Sequence, residues 1–389
     1  MRDRLIRQRL EKSRRSVLLL GPRQVGKTTL CRSLSPDFSV NLADEAEYLR
    51  YSKEPDRLVR EMATLRAEGL VLIDEIQRVP SLLNTVQAFL DTSGRKARFL
   101  LTGSSARKLR RGGANLLPGR VLLEHLDPLL WCELGEPLDL DRALRIGMLP
   151  GIHLGEDDAA DVLGTYAEVY LREEIRAEAL TKNLGGYARF LDVMALLSGQ
   201  WLNYSKVASD TEIPKETVRR FLTLLEDTLL VFRLPSFQPK RRMSRRVTQR
   251  DRVLFFDVGV RNALLDLHRR PLTRDQRGSA FEQWFVLQVL YLNRALHKGW
   301  TTSSYRTESG AEVDLVVERD DDVLGIEVKA GANVGPRDAR GLHSLEEVVR
   351  GYKPIEKRIA FTGPRAQVLA GDVRACPFLE LLEELRRGD

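Results

Sequence analysis

Gly21-Pro22-Arg23-Gln24-Val25-Gly26-Lys27-Thr28 is the stretch that decides how the first part of the chain folds. It fits the spacing GxxxxGK[ST] at every required position. Glycines stand where a loop must turn tightly, and a lysine and a hydroxyl residue close it. The four residues before it, Val17-Leu18-Leu19-Leu20, form a short apolar run suited to a buried parallel strand. The residues after it, Thr28–Leu34, read as a helix. Strand, glycine loop and helix together form a cradle for phosphates, because the loop's backbone N–H groups and the helix N-terminus attract an anion.

The chemistry follows from the residue types. Lys27 is placed to reach β and γ phosphates, and Thr28 offers a hydroxyl to Mg²⁺. ATP with Mg²⁺ is therefore the expected cofactor pair, held by Gly21, Arg23, Gln24, Val25, Gly26, Lys27, Thr28 and Thr29. A second apolar strand, Leu70–Ile73, ends in Asp74-Glu75. Asp74 is expected in the Mg²⁺ shell and Glu75 as the group that activates the attacking water. A third strand, Arg98–Leu101, ends in Thr102-Gly103-Ser104-Ser105. Ser104 reads either as a γ-phosphate sensor or as an N-cap for a following helix.

This order of phosphate loop, strand-Asp-Glu and strand-Thr-Gly-Ser-Ser resembles AAA-type P-loop ATPases. Gly21–Thr29, Ile73-Asp74-Glu75-Ile76-Gln77 and Leu101–Ala106 are similar to one prokaryotic family in particular. Its members join such an ATPase to a C-terminal domain of unknown function. The likeness continues through Leu117-Pro118-Gly119-Arg120, Leu126-Asp127-Pro128-Leu129 and Tyr170-Leu171-Arg172-Glu173-Glu174. It implies that Arg120 completes a nucleotide site, in its own or a neighbouring subunit; a homo-oligomer is the expected assembly.

Beyond this region the chain turns basic in two places. Residues 95–120 hold eight Lys or Arg and no acid, either a contact loop for DNA or another subunit, or a solvated surface. Residues 238–252 hold seven basic residues against one acid, among them Lys240, Arg241, Arg242, Arg245 and Arg246. They read either as a phosphate-tracking segment or as a linker. Between them, Phe190–Ser198, Tyr204–Ser209 and Glu216–Asp227 are expected helices and Leu229–Leu234 a strand. That is a winged-helix pattern, with Arg219 and Arg220 on the recognition helix. Its partner is either DNA or protein. Phe255–Gly259 reads as a strand and turn.

The last third combines a helix, Ala280–Leu296, with two strands, Glu312–Val317 and Leu324–Lys329, joined by an acidic turn. Strand alternation puts Glu327 and Lys329 on one face, and a hairpin brings Asp314 beside them, with Glu282 on the helix nearby. Two carboxylates and a lysine suit a metal-dependent phosphodiester cut, with Glu282, Asp314, Glu327 and Lys329 as a second metal site. The pattern resembles restriction-endonuclease-like nucleases, including archaeal Holliday-junction resolvases. The alternative, an inactivated nuclease fold retained for DNA binding or assembly, is the reading adopted.

The composition is ordinary for a folded protein: 389 residues, 43% hydrophobic, 30% charged, net charge +7. The excess positive charge permits a nucleic-acid partner. Three scattered cysteines give no zinc or disulfide pattern. No apolar run has membrane-spanning length, and the basic start has no signal-peptide stretch, so a cytoplasmic location is expected. The expected fold is α/β, in three parts. Residues 1–150 form the AAA-type ATPase with a parallel sheet, 151–237 a helical linker with winged helix, and 238–389 a restriction-endonuclease-like domain led by the basic segment. The reading that joins them is an ATPase that remodels or translocates on DNA, branched DNA included, hydrolysing ATP to ADP and phosphate. An ATP-gated nuclease and a signalling ATPase with a protein-binding winged helix are the alternatives.

Overall fold

The computed structural model describes residues 3–62, 69–92, 97–104, 119–170, 184–238, 247, 250–351 and 353–388. The chain divides into two compact units. One is Met1–Gly135 with Leu149–Gly151 and Leu224–Leu230; the other is Glu136–Met148, Ile152–Thr223 and Val231–Asp389.

The first unit runs α1 (Arg7–Lys12), β1 (Ser16–Leu20), α2 (Lys27–Arg32), β2 (Phe38–Asn41), α3 (Glu45–Lys53), α4 (Arg57–Met62), β3 (Leu70–Asp74), α5 (Leu82–Thr92), β4 (Arg98–Gly103) and β5 (Val121–His125). The strands form one parallel sheet in the order β2-β3-β4-β1-β5. All five residues of β1 are buried, as expected of a parallel strand covered on both faces. On one face Leu18, Leu20, Val71, Ile73, Phe99 and Leu101 pack under Tyr51, Leu58, Leu83, Val86 and Phe89. Each such side chain contributes about 1.5–3 kcal/mol by leaving water. The order matters for function. β4 lies between β1 and β3, so the strand ending in Thr102 and Ser104 separates the phosphate loop from the Asp-Glu pair. All three polar ends leave the same edge of the sheet, where open α/β sheets bind ligands.

The second unit opens with helices: α6 (Leu140–Ile146), α7 (Ala159–Thr165), α8 (Leu184–Leu196), α9 (Tyr204–Thr211) and, as far as Thr223, α10 (Lys215–Asp227). Asn203 caps α9 by accepting from the N–H groups of Ser205 and Lys206. Glu212 then turns left-handed at φ 55° and ends it. Tyr187, Phe190 and Phe221 pack ring to ring between α8 and α10, at centroid distances of 4.9–5.9 Å. β6 (Val231–Leu234) pairs antiparallel with β7 (Arg252–Phe255). The strand and turn expected at Phe255–Gly259 is half corrected. Asp257 accepts from the Val260 N–H and starts a helix, α11 (Val258–Leu264), which contains Gly259.

Next come α12 (Arg274–Leu296), β8 (Thr301–Arg306), β9 (Glu312–Glu318), β10 (Val323–Lys329), α13 (Arg340–Val349), β11 (Ile355–Phe361), β12 (Gln367–Leu369), β13 (Val373–Pro377) and α14 (Phe378–Arg387). The six strands form a mixed sheet, β12-β13-β11-β10-β9-β8. β9 and β10 are the expected antiparallel hairpin, and β10 continues parallel to β11. Phe281, Trp284 and Phe285 of α12 are fully buried, and Phe378 of α14 meets Phe281 and Trp284 edge-on at 5.2 and 5.8 Å. On α13, Leu342, Leu345 and Val349 join the core of Val313, Val316 and Ile359.

Candidate functional sites

In the first unit the phosphate loop leaves β1 with its geometry set by neighbours. The Gly21 N–H donates to the Gly103 carbonyl at 3.2 Å. A Cβ on Gly21 would lie 2.2 Å from the Leu126 carbonyl oxygen, so only glycine fits there. Gly26 has φ +92°, a conformation glycine adopts without strain. Gln24 takes φ 63° without that freedom, a departure of the kind that clusters at functional loops. Lys27 is buried and donates to the Gly21 and Pro22 carbonyls at 2.8 and 2.7 Å. Thr28 Oγ1 donates to Asp74 Oδ2 at 2.7 Å. The two residues expected around Mg²⁺ therefore touch, from opposite sides of β4. Arg23, Val25 and Thr29 occupy the loop and the start of α2.

Asp74 ends β3, and its Oδ1 accepts the Thr102 hydroxyl. The same Thr102 Oγ1 accepts the Glu75 N–H at 3.1 Å. Glu75 sits in the left-handed region, φ 55°, ψ 45°. This costs a non-glycine residue about 1–2 kcal/mol, and it turns the carboxylate aside from the strand direction. Gln77 Nε2 donates to Glu75 Oε2 and to Ser104 Oγ, the latter at 2.9 Å. Ser104 also donates to Glu75 Oε2 at 3.3 Å. Lys27, Thr28, Asp74, Glu75 and Ser104 are thus brought to one edge. A triphosphate with Mg²⁺ fits this donor set: a lysine that donates to two neutral carbonyls, a hydroxyl and a carboxylate already in contact, and a second carboxylate held by polar side chains.

Arg120 is elsewhere. It directly precedes β5, whose first residue, Val121, pairs with Ser16 at the start of β1. The phosphate loop begins after Leu20, about 16 Å along the sheet at the usual strand rise. Arg120 instead forks onto Asp91 of α5, with its Nε at 2.6 Å and Nη2 at 3.0 Å from the two carboxylate oxygens.

Three residues of this site are given no role by the sequence patterns. Thr102 links Asp74 to Glu75, and Gln77 links Glu75 to Ser104. Arg4, mostly buried, donates to the Val25 carbonyl at 2.9 Å and the Asp127 carbonyl at 2.6 Å, and pairs with Glu133 at 2.9 Å. It ties the phosphate loop to the segment after β5. Of these, Thr102, near the end of β4, and Gln77, in the turn after β3, had a signal in lying beside recognised residues. Arg4 had none, since its partners lie 21 and 123 residues away.

In the second unit, Arg219 and Arg220 are exposed on α10. Arg219 pairs with Glu216 at 3.0 Å and lies 5.5 Å from the Tyr204 ring centre. A groove of ≈ 320 Å³ nearby is lined by Asn203, Tyr204, Ser205, Lys215, Arg233 and Arg250, among others. Lys240, Arg241, Arg242, Arg245 and Arg246 lie outside the described residues, as do Ser105, Leu117, Pro118, residues 171–174 and most of the basic stretch 95–120.

The C-terminal hairpin brings its expected residues together. Asp314 Oδ2 accepts the Val328 N–H at 2.8 Å, locking β9 to β10 beside Glu327 and Lys329. Lys329 Nζ lies 2.6 Å from Glu327 Oε1. Burial pushes the Asp314 carboxyl well above the usual range, and the charges of Glu282 and Glu327 push it further, against Arg252 and Lys329. Burial likewise raises Glu327, with Lys329 opposing. The unexpected member is Arg252. Its side chain is only 5% exposed, and its guanidinium pairs with Glu282. The same group stands 3.8 Å from Asp314 Oδ1 and donates to the Asp314 and Gly199 carbonyls at 3.0 and 2.6 Å. Among the described residues no group of three or more His, Cys, Asp or Glu is arranged to hold a metal ion. The carboxylates converge, but on an arginine, and a divalent ion does not fit this arrangement.

The first unit's sheet and phosphate cradle define a P-loop nucleotide-binding domain of the ATPase class. Comparison with known proteins adds the family. Residues 13–135 match the family described as AAA domain. Residues 138–270 and 277–381 match two described as domains of unknown function, DUF8612 and DUF4143. The chain is thus an AAA domain followed by two domains of unknown function. Two mycobacterial proteins, uncharacterized protein Mb2031c of Mycobacterium bovis and uncharacterized protein Rv2008c of Mycobacterium tuberculosis, are each 29% identical over 315 residues, 80% of this chain and 70% of theirs. A DNA polymerase III gamma subunit-related protein of Thermotoga maritima overlaps 58% of this chain and 97% of its own, at 13% identity and a TM-score of 0.27. A likeness that loose carries no inference. No helix among the described residues is long and apolar enough to cross a membrane.

Proposed function

We propose that the chain is an ATP-hydrolysing enzyme of the cytoplasm that acts on DNA, as a remodeller or translocating motor. The observation that carries the ATPase reading is the contact of Thr28 with Asp74 across β4, with Lys27 and Glu75 on either side. In this reading Lys27 binds the β and γ phosphates, Thr28 and Asp74 hold Mg²⁺, and Glu75 activates water. Thr29 and the loop residues Gly21 to Gly26 shape the cradle, and Ser104 senses the γ-phosphate beside Gln77. Hydrolysis yields ADP and phosphate.

The DNA reading rests on α9, α10 and the β6–β7 pair, a helix-turn-helix with a two-stranded wing. Arg219 and Arg220 face outwards, and Lys215, Arg233 and Arg250 gather at one groove. Lys240, Arg241, Arg242, Arg245 and Arg246 extend that positive charge along the sequence. The third part of the chain, 238–389, serves in this proposal as a nuclease-like module that holds DNA, with 1–150 and 151–237 as the ATPase and winged-helix parts. Arg120, far from its own loop, serves a neighbouring subunit, so the active form is a homo-oligomer.

The test is ATP turnover with and without duplex, branched and single-stranded DNA. Stimulation that falls steeply with salt supports the proposal; turnover indifferent to all three sinks the DNA reading and leaves a protein-binding winged helix. The alternative, a metal-dependent nuclease at Asp314, Glu327 and Lys329, is disfavoured by the arginine already seated among the carboxylates. Cutting by the wild-type chain that Asp314→Ala abolishes would establish it.

A further inference from the structure

The carboxylates of the C-terminal hairpin already have a cation. Three acids meet there: Glu282 from α12, Asp314 from β9 and Glu327 from β10. Arg252, at the head of β7, enters their midst with every nitrogen of its guanidinium engaged. Nε faces the Gly199 carbonyl, Nη1 the Asp314 carbonyl, and Nη2 the Glu282 carboxylate. Lys329 holds Glu327 Oε1. A divalent ion such as Mg²⁺ asks for about six oxygens in a near-octahedral shell. Here Asp314 Oδ2 is taken by the Val328 N–H and Oδ1 faces Arg252, while Glu282 Oε1 is taken by Arg252. Charge argues the same way. Two cations, Arg252 and Lys329, already stand among these carboxylates, and burial opposes the acids' ionisation; Glu327 Oε2 is buried without a hydrogen-bond partner among the described residues, but one oxygen does not make a metal shell. Adding a doubly charged ion beside Arg252 would set like charges against each other where little water screens them. A flexible surface arginine could step aside. This one cannot do so cheaply, because three elements grip it and its side chain is 5% exposed.

We infer that Arg252 is the resident cation of this cluster and excludes divalent metal from it, so that the hairpin is a carboxylate site closed from within. The inference stands on the geometry of the cluster and is independent of the DNA reading. It also states what would open the site: withdrawal of one guanidinium leaves Glu282, Asp314 and Glu327 facing one another, which is a set of hard oxygen ligands suited to Mg²⁺ or Mn²⁺.

The experiment is a Mn²⁺ titration of the full-length, nucleotide-free chain, with free Mn²⁺ read by electron paramagnetic resonance. Wild type and Asp314→Asn should bind the same amount, because the C-terminal site takes none. Arg252→Met should gain one further equivalent, absent from Arg252→Met/Asp314→Asn, and its melting temperature should rise with Mn²⁺ while that of wild type does not. Removing one partner of a buried ion pair is costly, so a second variant, Arg252→Met/Glu282→Gln, takes out cation and carboxylate together. It keeps Asp314 and Glu327 and should bind the extra Mn²⁺ more weakly than Arg252→Met. Two results overturn the inference. One is an equivalent bound by wild type and lost in Asp314→Asn. The other is a folded arginine variant, single or double, that gains nothing.

Discussion

The two polar sites use similar ingredients, acidic side chains at strand ends and a lysine, yet they are wired in opposite ways. In the first unit Lys27 rests on two backbone carbonyls, neutral acceptors that a triphosphate outbids by charge. In the second, Arg252 and Lys329 rest on carboxylates inside the protein. An arriving ligand there must separate buried opposite charges before it gains anything. The difference teaches that a motif's residue types say which chemistry a site could support, while the present partners of its cations say whether the site is available.

The largest expected effect probes the available site. Glu75→Gln keeps shape and hydrogen bonding but loses the base, so turnover should fall ~10²–10⁴-fold, the usual worth of general-base catalysis. Nucleotide affinity should stay. Isothermal titration beside a phosphate-release assay separates the two. Normal turnover would mean that Glu75, held by Gln77 and Ser104, is a structural carboxylate like those of the hairpin.

Lys27→Ala comes next. Losing the ammonium against a triphosphate should cost about 2–5 kcal/mol, roughly 30-fold to several thousand-fold in affinity. A folded Lys27→Ala chain with wild-type nucleotide affinity would erase the contrast between the two sites.

Asp257 sharpens the comparison from a third direction, as a buried carboxylate with no cation beside it among the described residues. It accepts the N–H groups of Met148 and Val260 at 2.7 and 3.1 Å, and burial, against those hydrogen bonds, pushes its carboxyl from 3.8 up to about 6. The sign is set by where the proton is lost first. An unfolded aspartate ionises near its ordinary value, while the folded one keeps its proton to about 6. The folded state therefore binds more protons in between, and this group's contribution to stability falls as pH rises through that window and levels off above it. Urea unfolding of wild type against Asp257→Asn at stepped pH should show that decline in wild type alone. Parallel profiles would place the Asp257 titration at its ordinary position.

What the sequence made legible divides along the same line. The phosphate loop, Asp74-Glu75 and the β9–β10 hairpin are local: each is set by spacing within one strand or turn, and strand alternation alone places Glu327 beside Lys329. Arg4, Thr102 and Arg252 act across the fold. In the sequence Arg252 is one basic residue among seven in a stretch that reads as phosphate-tracking. Only the pairing of β7 with β6 and its approach to α12 turn it inward, onto Glu282 thirty residues away. Its one sequence signal was position, since it opens the apolar strand Arg252-Val253-Leu254-Phe255 and so was a candidate for burial. Gly259 misled for a related reason. A glycine after a strand suggests a turn, but the capping aspartate two residues earlier outweighs it.

Arg120 yields the smallest effect in the single chain and the most telling one in the assembly. Its fork onto Asp91 is partly exposed, at 37% and 41% for the two side chains, and such pairs contribute little to stability. Arg120→Ala should therefore leave the melting curve and the nucleotide affinity of its own loop nearly unchanged, since the loop lies at the other end of β1. If Arg120 reaches a neighbour's nucleotide, turnover of the assembly should nonetheless fall. A mixture then decides the matter. Arg120→Ala subunits keep Glu75, and Glu75→Gln subunits keep Arg120, so some interfaces in a mixed oligomer pair an intact base with an intact arginine. Turnover recovered on mixing two inactive proteins would place Arg120 at a shared site. Mixtures as inactive as their parts would confine Arg120 to its own chain, and normal turnover by Arg120→Ala alone would leave it as Asp91's partner and nothing more.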